Sequence, residues 1–219
     1  IMARSPSVST KSGALVAGYV RPALPVRGMK IFGRLEAQHL LIAWLVIGFC
    51  FSAWAIFTPT RFVSTFTIAL LTAGLGFIGH ELAHKFTAQR YGCWAEFQIW
   101  KWGLAMALVF ALVSGGQIIF AAPGAVYITP TASSFGWGHG ISRKEHGLIS
   151  LAGPMANIAL AVIFLFLTRF GGFLELVSPI GYGINLWLAA FNLLPFGPLD
   201  GQKVFSWNRL VWVGITIPL

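Results

Sequence analysis

The sequence has little charge. Only 10% of its 219 residues are Asp, Glu, Lys or Arg, against 57% hydrophobic. A soluble domain carries about a quarter charged residues, so a soluble globular enzyme is excluded. Acidic residues are the scarcest: Glu36, Glu81, Glu96, Glu145, Glu175 and Asp200 are all there are, and Asp200 is the only aspartate. Cysteine is nearly absent too. Cys50 and Cys93 alone cannot build a disulfide framework. Cys93 is read as a small, partly buried residue rather than a metal ligand. The chain shows no internal repeats. It also lacks an uninterrupted apolar core followed by a small-residue cleavage site, which argues against a signal peptide.

Long apolar runs fill the space that charge leaves. The length suits about four to six spans of roughly 20 residues each. Net charge is +9, but the basic residues flank the apolar runs. They read as topology signals rather than a nucleic-acid surface, and no nucleic-acid partner is expected. The expected fold class is an all-α polytopic membrane protein in the lipid bilayer. It has at least four transmembrane helices and a small β-containing, membrane-associated segment.

Residues 1–28 are rich in Ser, Pro, Ala and Gly and read as a disordered tail, with Met29 a credible start. Residues 29–219 read as one domain. Its last apolar run is about half of what a span needs, so the C-terminus looks truncated. Spans are expected at 39–57, 62–91, 146–170 and 180–199. The alternating aromatic stretch 92–101 suggests a strand. Residues 92–140 read as strands plus a short helical or re-entrant piece, with a second strand near 117–128. A full crossing by 103–122 is the rival reading.

The chemistry centres on Gly79-His80-Glu81-Leu82-Ala83-His84, near the end of the second apolar run. Residues four apart share a helix face. His80 and His84 can therefore hold one metal ion, with Glu81 beside it as a base for the metal's water. A central charge in a bilayer costs roughly 2.5–3.5 kcal/mol, so such groups are functional by default.

Zinc of this kind takes two histidines and a carboxylate and leaves a position for water. Asp200 is the best third ligand. Arg21, Arg27, Lys30 and Arg34 put the N-terminus in the cytoplasm, and the second and fourth spans then return there. His80 and Asp200 reach similar depth on that side, provided 103–122 does not cross. Pro195, Gly197, Pro198 and Gly201 break the helix around Asp200. Broken backbone at membrane depth needs protein or a water-filled cavity around it. The bland alternative for Asp200 is a capping residue at a helix end.

Two signatures make the chain resemble the site-2 protease family of intramembrane zinc metalloproteases. One is the H-E-x-x-H of His80 to His84. The other is Asn192-Leu193-Leu194-Pro195-Phe196-Gly197-Pro198-Leu199-Asp200-Gly201, similar to the family's N-x-x-P-x-x-P-x-D-G. Gly153-Pro154-Met155-Ala156-Asn157 is a weaker match to G-P-x-x-N. The resemblance implies zinc on His80, His84 and Asp200, with Glu81 as catalytic base. It implies an endopeptidase acting in or near transmembrane segments. It also implies that Asn157 orients substrate or stabilises the oxyanion, although a buried amide serves equally as interhelical glue. Asn192 carries the same two readings, substrate contact or structure. No PDZ or CBS domain is visible, so this looks like a minimal member.

By the same analogy the substrate is a single-span membrane protein already trimmed by another protease, such as a membrane-tethered regulator. The expected location is the cell membrane, with N-terminus and active site towards the cytoplasm. Strand-like segments could take an unwound substrate by strand addition. Two rivals stand beside this reading. One is a zincin of another class with a glutamate as third ligand, for which only Glu145 and Glu175 lie downstream. The other is a non-proteolytic membrane metal-binding protein or transporter.

Overall fold

The computed structural model describes residues 32–119, 123–130 and 140–219. The tail expected at 1–28 lies outside them, as does His139, which the sequence reads as an interfacial residue rather than a ligand. Among the described residues, four helices are long and apolar enough to cross a membrane: Arg34–Ala55, Pro59–Arg90, Arg143–Leu167 and Phe173–Asn192. The first comprises α1 (Arg34–Ser52) and a 3-10 turn, Ala53–Ala55. The second comprises α2 (Pro59–Ala69) and α3 (Leu75–Arg90), joined by a π-helical turn at Leu70–Gly74. Pro59 opens α2 at the position where a missing N–H costs nothing. Trp44 Nε1 donates to the Leu70 carbonyl at 3.0 Å, tying α1 to the π turn.

The third span is α5 (Arg143–Leu167). It starts with a capping box: Glu145 N–H donates to Ser142 Oγ at 3.2 Å, and Ser142 N–H to Glu145 Oε2 at 2.8 Å. The fourth span is α6 (Phe173–Asn192). Pro154 lies inside α5 and Pro179 inside α6. Membrane helices tolerate such residues where neighbours satisfy the freed backbone. Helix α5 packs against α3, α6 and the later helix α7 (Asp200–Trp207), so it is central to the bundle. A short α8 (Arg209–Thr216) follows, capped by Asn208 Oδ1, which accepts from Leu210 N–H at 2.9 Å.

The segment between the second and third spans forms β1 (Cys93–Ile99), α4 (Lys101–Val113) and β2 (Gly124–Pro130). The strands pair antiparallel, with Phe97 opposite Val126. Trp100 N–H donates to the Pro123 carbonyl at 2.9 Å, which fixes the phase of the ladder. Hydrogen-bonded and non-bonded pairs alternate along an antiparallel ladder. Counting from the 100–123 pair, the Phe97–Val126 pair is non-bonded. Their backbone N–H and C=O groups therefore point to the two outer edges of the hairpin. One face of the sheet rests on the bundle: Phe97 and Val126 pack with Leu40 and Ala43 of α1 and with Phe77 and Leu82 of α3.

The structure adjusts three expectations. Helix α4 has 13 residues, or about 20 Å at 1.5 Å per residue. That is short of the roughly 30 Å hydrocarbon layer, so the rival full crossing gives way to the short helical piece. The second strand is Gly124–Pro130, later than 117–128. The fourth span is displaced most. It starts at Phe173, because Pro179 does not break it, and ends at Asn192 rather than at 199. Pro195 and Pro198 remove donors, and Gly197 turns with φ 65°. Asp200 consequently opens a new helix instead of closing the old one.

Candidate metal centre

Helix α3 carries His80 and His84 one turn apart with Glu81 next to His80, all three buried. The loop after α6 brings Asp200, 8% exposed, to the same place. His80 Nε2 and His84 Nε2 stand 2.9 Å apart. Asp200 Oδ2 lies 3.1 Å from the first and 3.0 Å from the second. Among the described residues, these three form the one group of His, Cys, Asp or Glu side chains arranged to hold a metal ion.

The other ring nitrogens reveal what these atoms are for. His84 Nδ1 is 2.7 Å from the Ile149 carbonyl, and His80 Nδ1 is 2.7 Å from Asn157 Oδ1. Asn157 Nδ2 donates to the Gly76 carbonyl at 3.0 Å and to Asn185 Oδ1 at 3.1 Å. Asn185 Nδ2 in turn donates to the Gly181 carbonyl at 2.9 Å. This chain fixes both amide orientations, so Asn157 offers its oxygen to His80 and both Nδ1 atoms carry the proton. Both Nε2 atoms then present lone pairs to each other and to a carboxylate. Three acceptors turned inward repel unless a cation lies among them. Tetrahedral zinc with ligands about 2.0–2.1 Å away sets its ligand atoms about 3.3 Å apart, close to the observed separations.

Gly153 leaves the room. A Cβ there would fall on His84 Nε2 and 2.6 Å from His80 Nε2. Gly201 has a comparable part. A Cβ on it would collide with the carbonyls of Leu193 and Leu194, so only glycine lets the start of α7 sit against the end of α6. Asp200 lies outside the spans. Burial pushes its carboxyl up, but a proton on the facing His84 ring, standing in for the cation, and the contacts from His80 and His84 outweigh this. The carboxyl is held well below its usual range. It is thus a carboxylate, the ligand form. Lys203 Nζ donates to the other oxygen, Oδ1, at 3.5 Å.

Glu81 is adjacent to His80, with the Val126 amide of β2 directed towards its carboxylate. Asn192 stands apart from this cluster in its bonding: its Nδ2 donates to the Leu188 carbonyl of its own helix at 2.9 Å. Glu145 is engaged in the α5 capping box and Glu175 is exposed near the start of α6, so neither joins the ligand group. His146 is exposed at the start of α5.

Sequence reasoning missed four participants. Asn185 is fully buried in an apolar span, which is itself a signal. Gly153 was seen only as part of a motif. The Ile149 carbonyl and the Val126 amide carry no sequence signal, because every non-proline residue has such groups.

Comparison with known proteins finds relatives. The chain is 40% identical over 191 residues to MJ0611 of Methanocaldococcus jannaschii, named "Putative zinc metalloprotease"; the match covers 86% of this chain and 92% of that protein. YwhC of Bacillus subtilis, with the same description, is 30% identical over 159 residues, covering 63% of this chain and 67% of its own. Rip2 of Mycolicibacterium smegmatis, again so described, is 28% identical over 65% of this chain and 58% of its own. No family model and no solved structure matches.

Proposed function

The chain belongs to the family of these zinc metalloproteases, and from that premise we propose that it is an intramembrane endopeptidase of the site-2 protease type. The observation that carries the reading is the convergence of His80, His84 and Asp200 beside Glu81, inside a bundle of four membrane-length helices. Zinc held there supplies a water of lowered pKa and polarises a peptide carbonyl. Glu81 takes the proton of the attacking water and passes it to the leaving amine. Asn157 spends its whole amide on His80, Gly76 and Asn185. It is better suited to orienting a ligand than to meeting an oxyanion.

A peptide bond inside a helix has its carbonyl already hydrogen-bonded, so a substrate must unwind. The outer edge of β2 carries the backbone groups of Gly124, Val126 and Ile128 that take no part in the ladder, with Val126 beside Glu81. An extended substrate adds there as a third strand, its scissile bond next to the base. The substrate is a single-span membrane protein already shortened by another protease. The chain lies in the cell membrane with its N-terminus and site towards the cytoplasm. Lys85, Arg90, Lys101, Arg143, Lys144, Lys203 and Arg209 gather at that end, in accord with positive-inside bias.

The deciding experiment is Glu81→Gln, read by zinc content and by cleavage of a membrane-peptide panel. The expected result is one retained zinc and a rate loss of about a hundredfold or more. Undiminished cleavage would sink the mechanism. A wild-type protein that holds zinc and cleaves nothing would favour a non-proteolytic metal-binding role.

A further inference from the structure

A buried ion pair lies on the other edge of the hairpin, outside the metal centre. Glu36 in the first turn of α1 and Lys85, the residue after ligand His84, are each 1% exposed. The Lys85 ammonium donates to Glu36 Oε2 and lies over the Phe32 ring, 4.4 Å from its centroid. The second oxygen, Glu36 Oε1, accepts the Phe97 N–H at 3.1 Å. One carboxylate therefore joins α1, the metal-motif helix and β1.

Stability alone does not account for such a pair. Removing two charges from water costs several kcal/mol per ion, and an apolar pair of similar volume is often as stable or more so. What an apolar pair lacks is an acceptor aimed at a particular N–H. The Phe97 N–H points to the outer edge of β1, as its non-bonded pairing with Val126 requires. Open edges accept further strands wherever they lie. Here Glu36 occupies one edge, while the other faces Glu81. A shift of the hairpin along α3 would break the Glu36–Phe97 bond and move Val126 away from Glu81 together.

We propose that Glu36 is a positioning residue: its side-chain oxygen closes the outer edge of β1 and fixes the hairpin against α3, with Lys85 as its counter-ion, so that β2 alone receives the substrate strand beside Glu81. Lys85 offsets the buried charge, and the Glu36 oxygen holds the strand. The proposal rests on the protease reading for the identity of the bound strand.

Two double variants of the full chain separate geometry from charge. E36Q/K85M removes both charges but keeps an oxygen for the Phe97 amide. E36M/K85M removes the oxygen as well. The expected result is a kcat/KM within about threefold of wild type for E36Q/K85M. For E36M/K85M it is about tenfold or more lower, mainly through KM, roughly the worth of one hydrogen bond. Both retain wild-type zinc, because the ligands are oriented from α5 and α6. Amide exchange across 93–99, read by mass spectrometry, should be about tenfold faster in E36M/K85M only. Equal kcat/KM and equal exchange in the two variants overturn the proposal. If E36M/K85M does not fold, E36Q/K85M decides alone: a tenfold loss with zinc retained overturns it. A wild-type chain that cleaves no peptide defeats the protease reading, and the exchange comparison still decides the clamp.

Discussion

His80 and His84 each give one ring nitrogen to a protein oxygen and turn the other inward. That division sets what single substitutions should do. Asp200→Ala removes a ligand and should abolish stoichiometric zinc, measured by metal analysis of the purified protein; full retention would return the zincin alternative with a glutamate ligand. Asn157→Ala leaves the ligands in place but frees the His80 ring. Outer partners of this kind are worth about 10–100-fold in metal affinity. A chelator competition titration should show that loss, and Asn185→Ala, one bond further out, a smaller one. An unchanged affinity in Asn157→Ala would reduce that amide to packing. Gly153→Ala places a methyl against both Nε2 atoms. It should lower zinc content, although the same change at an ordinary helix position favours the helix by about 1 kcal/mol.

At the scale of elements, the hairpin separates two kinds of backbone group. Proline removes an N–H. At Val126 that N–H faces Glu81 and takes no part in the ladder; at Tyr127 it pairs with Glu96. Val126→Pro should therefore keep the hairpin and the zinc while cleavage falls by about tenfold, one hydrogen bond's worth. Tyr127→Pro should disrupt the hairpin as well, visible as faster exchange across both strands. Wild-type cleavage in Val126→Pro would remove β2 from the substrate path. The loop after α6 shows how sequence and structure divide the work. Pro195, Gly197 and Pro198 announced a broken helix, and the break is there. The sequence could not say whether Asp200 ended one helix or began another. That depends on Gly201 meeting the Leu193 carbonyl and on Trp212 Nε1 donating to it at 2.7 Å, both contacts across the chain.

Among the described residues there are four membrane-length helices, and α4 is too short to be a fifth. Parity then puts Thr58 and Gly171 on one side, and Lys101, Lys144 and Lys203 on the other. Single cysteines at these positions, in a chain with Cys50 and Cys93 replaced, should react with an impermeant thiol reagent in those two groups. Lys101 and Lys144 labelling from opposite sides would require an extra crossing and would separate His80 from Asp200.

Low charge and long apolar runs determined the membrane class, because a bilayer admits little else. Spacing on a helix determined that His80 and His84 share a face, and the single aspartate narrowed the third ligand to Asp200. These are local or compositional properties, and a sequence carries them directly. Tertiary structure decided the rest. It decided that Asn157 and Asn185 set the His80 tautomer, that the Ile149 carbonyl holds His84, that Gly153 leaves space for a cation, and that Glu36 takes one edge of the hairpin. Each joins groups far apart in the chain, and most use backbone atoms or an empty volume that no residue letter records.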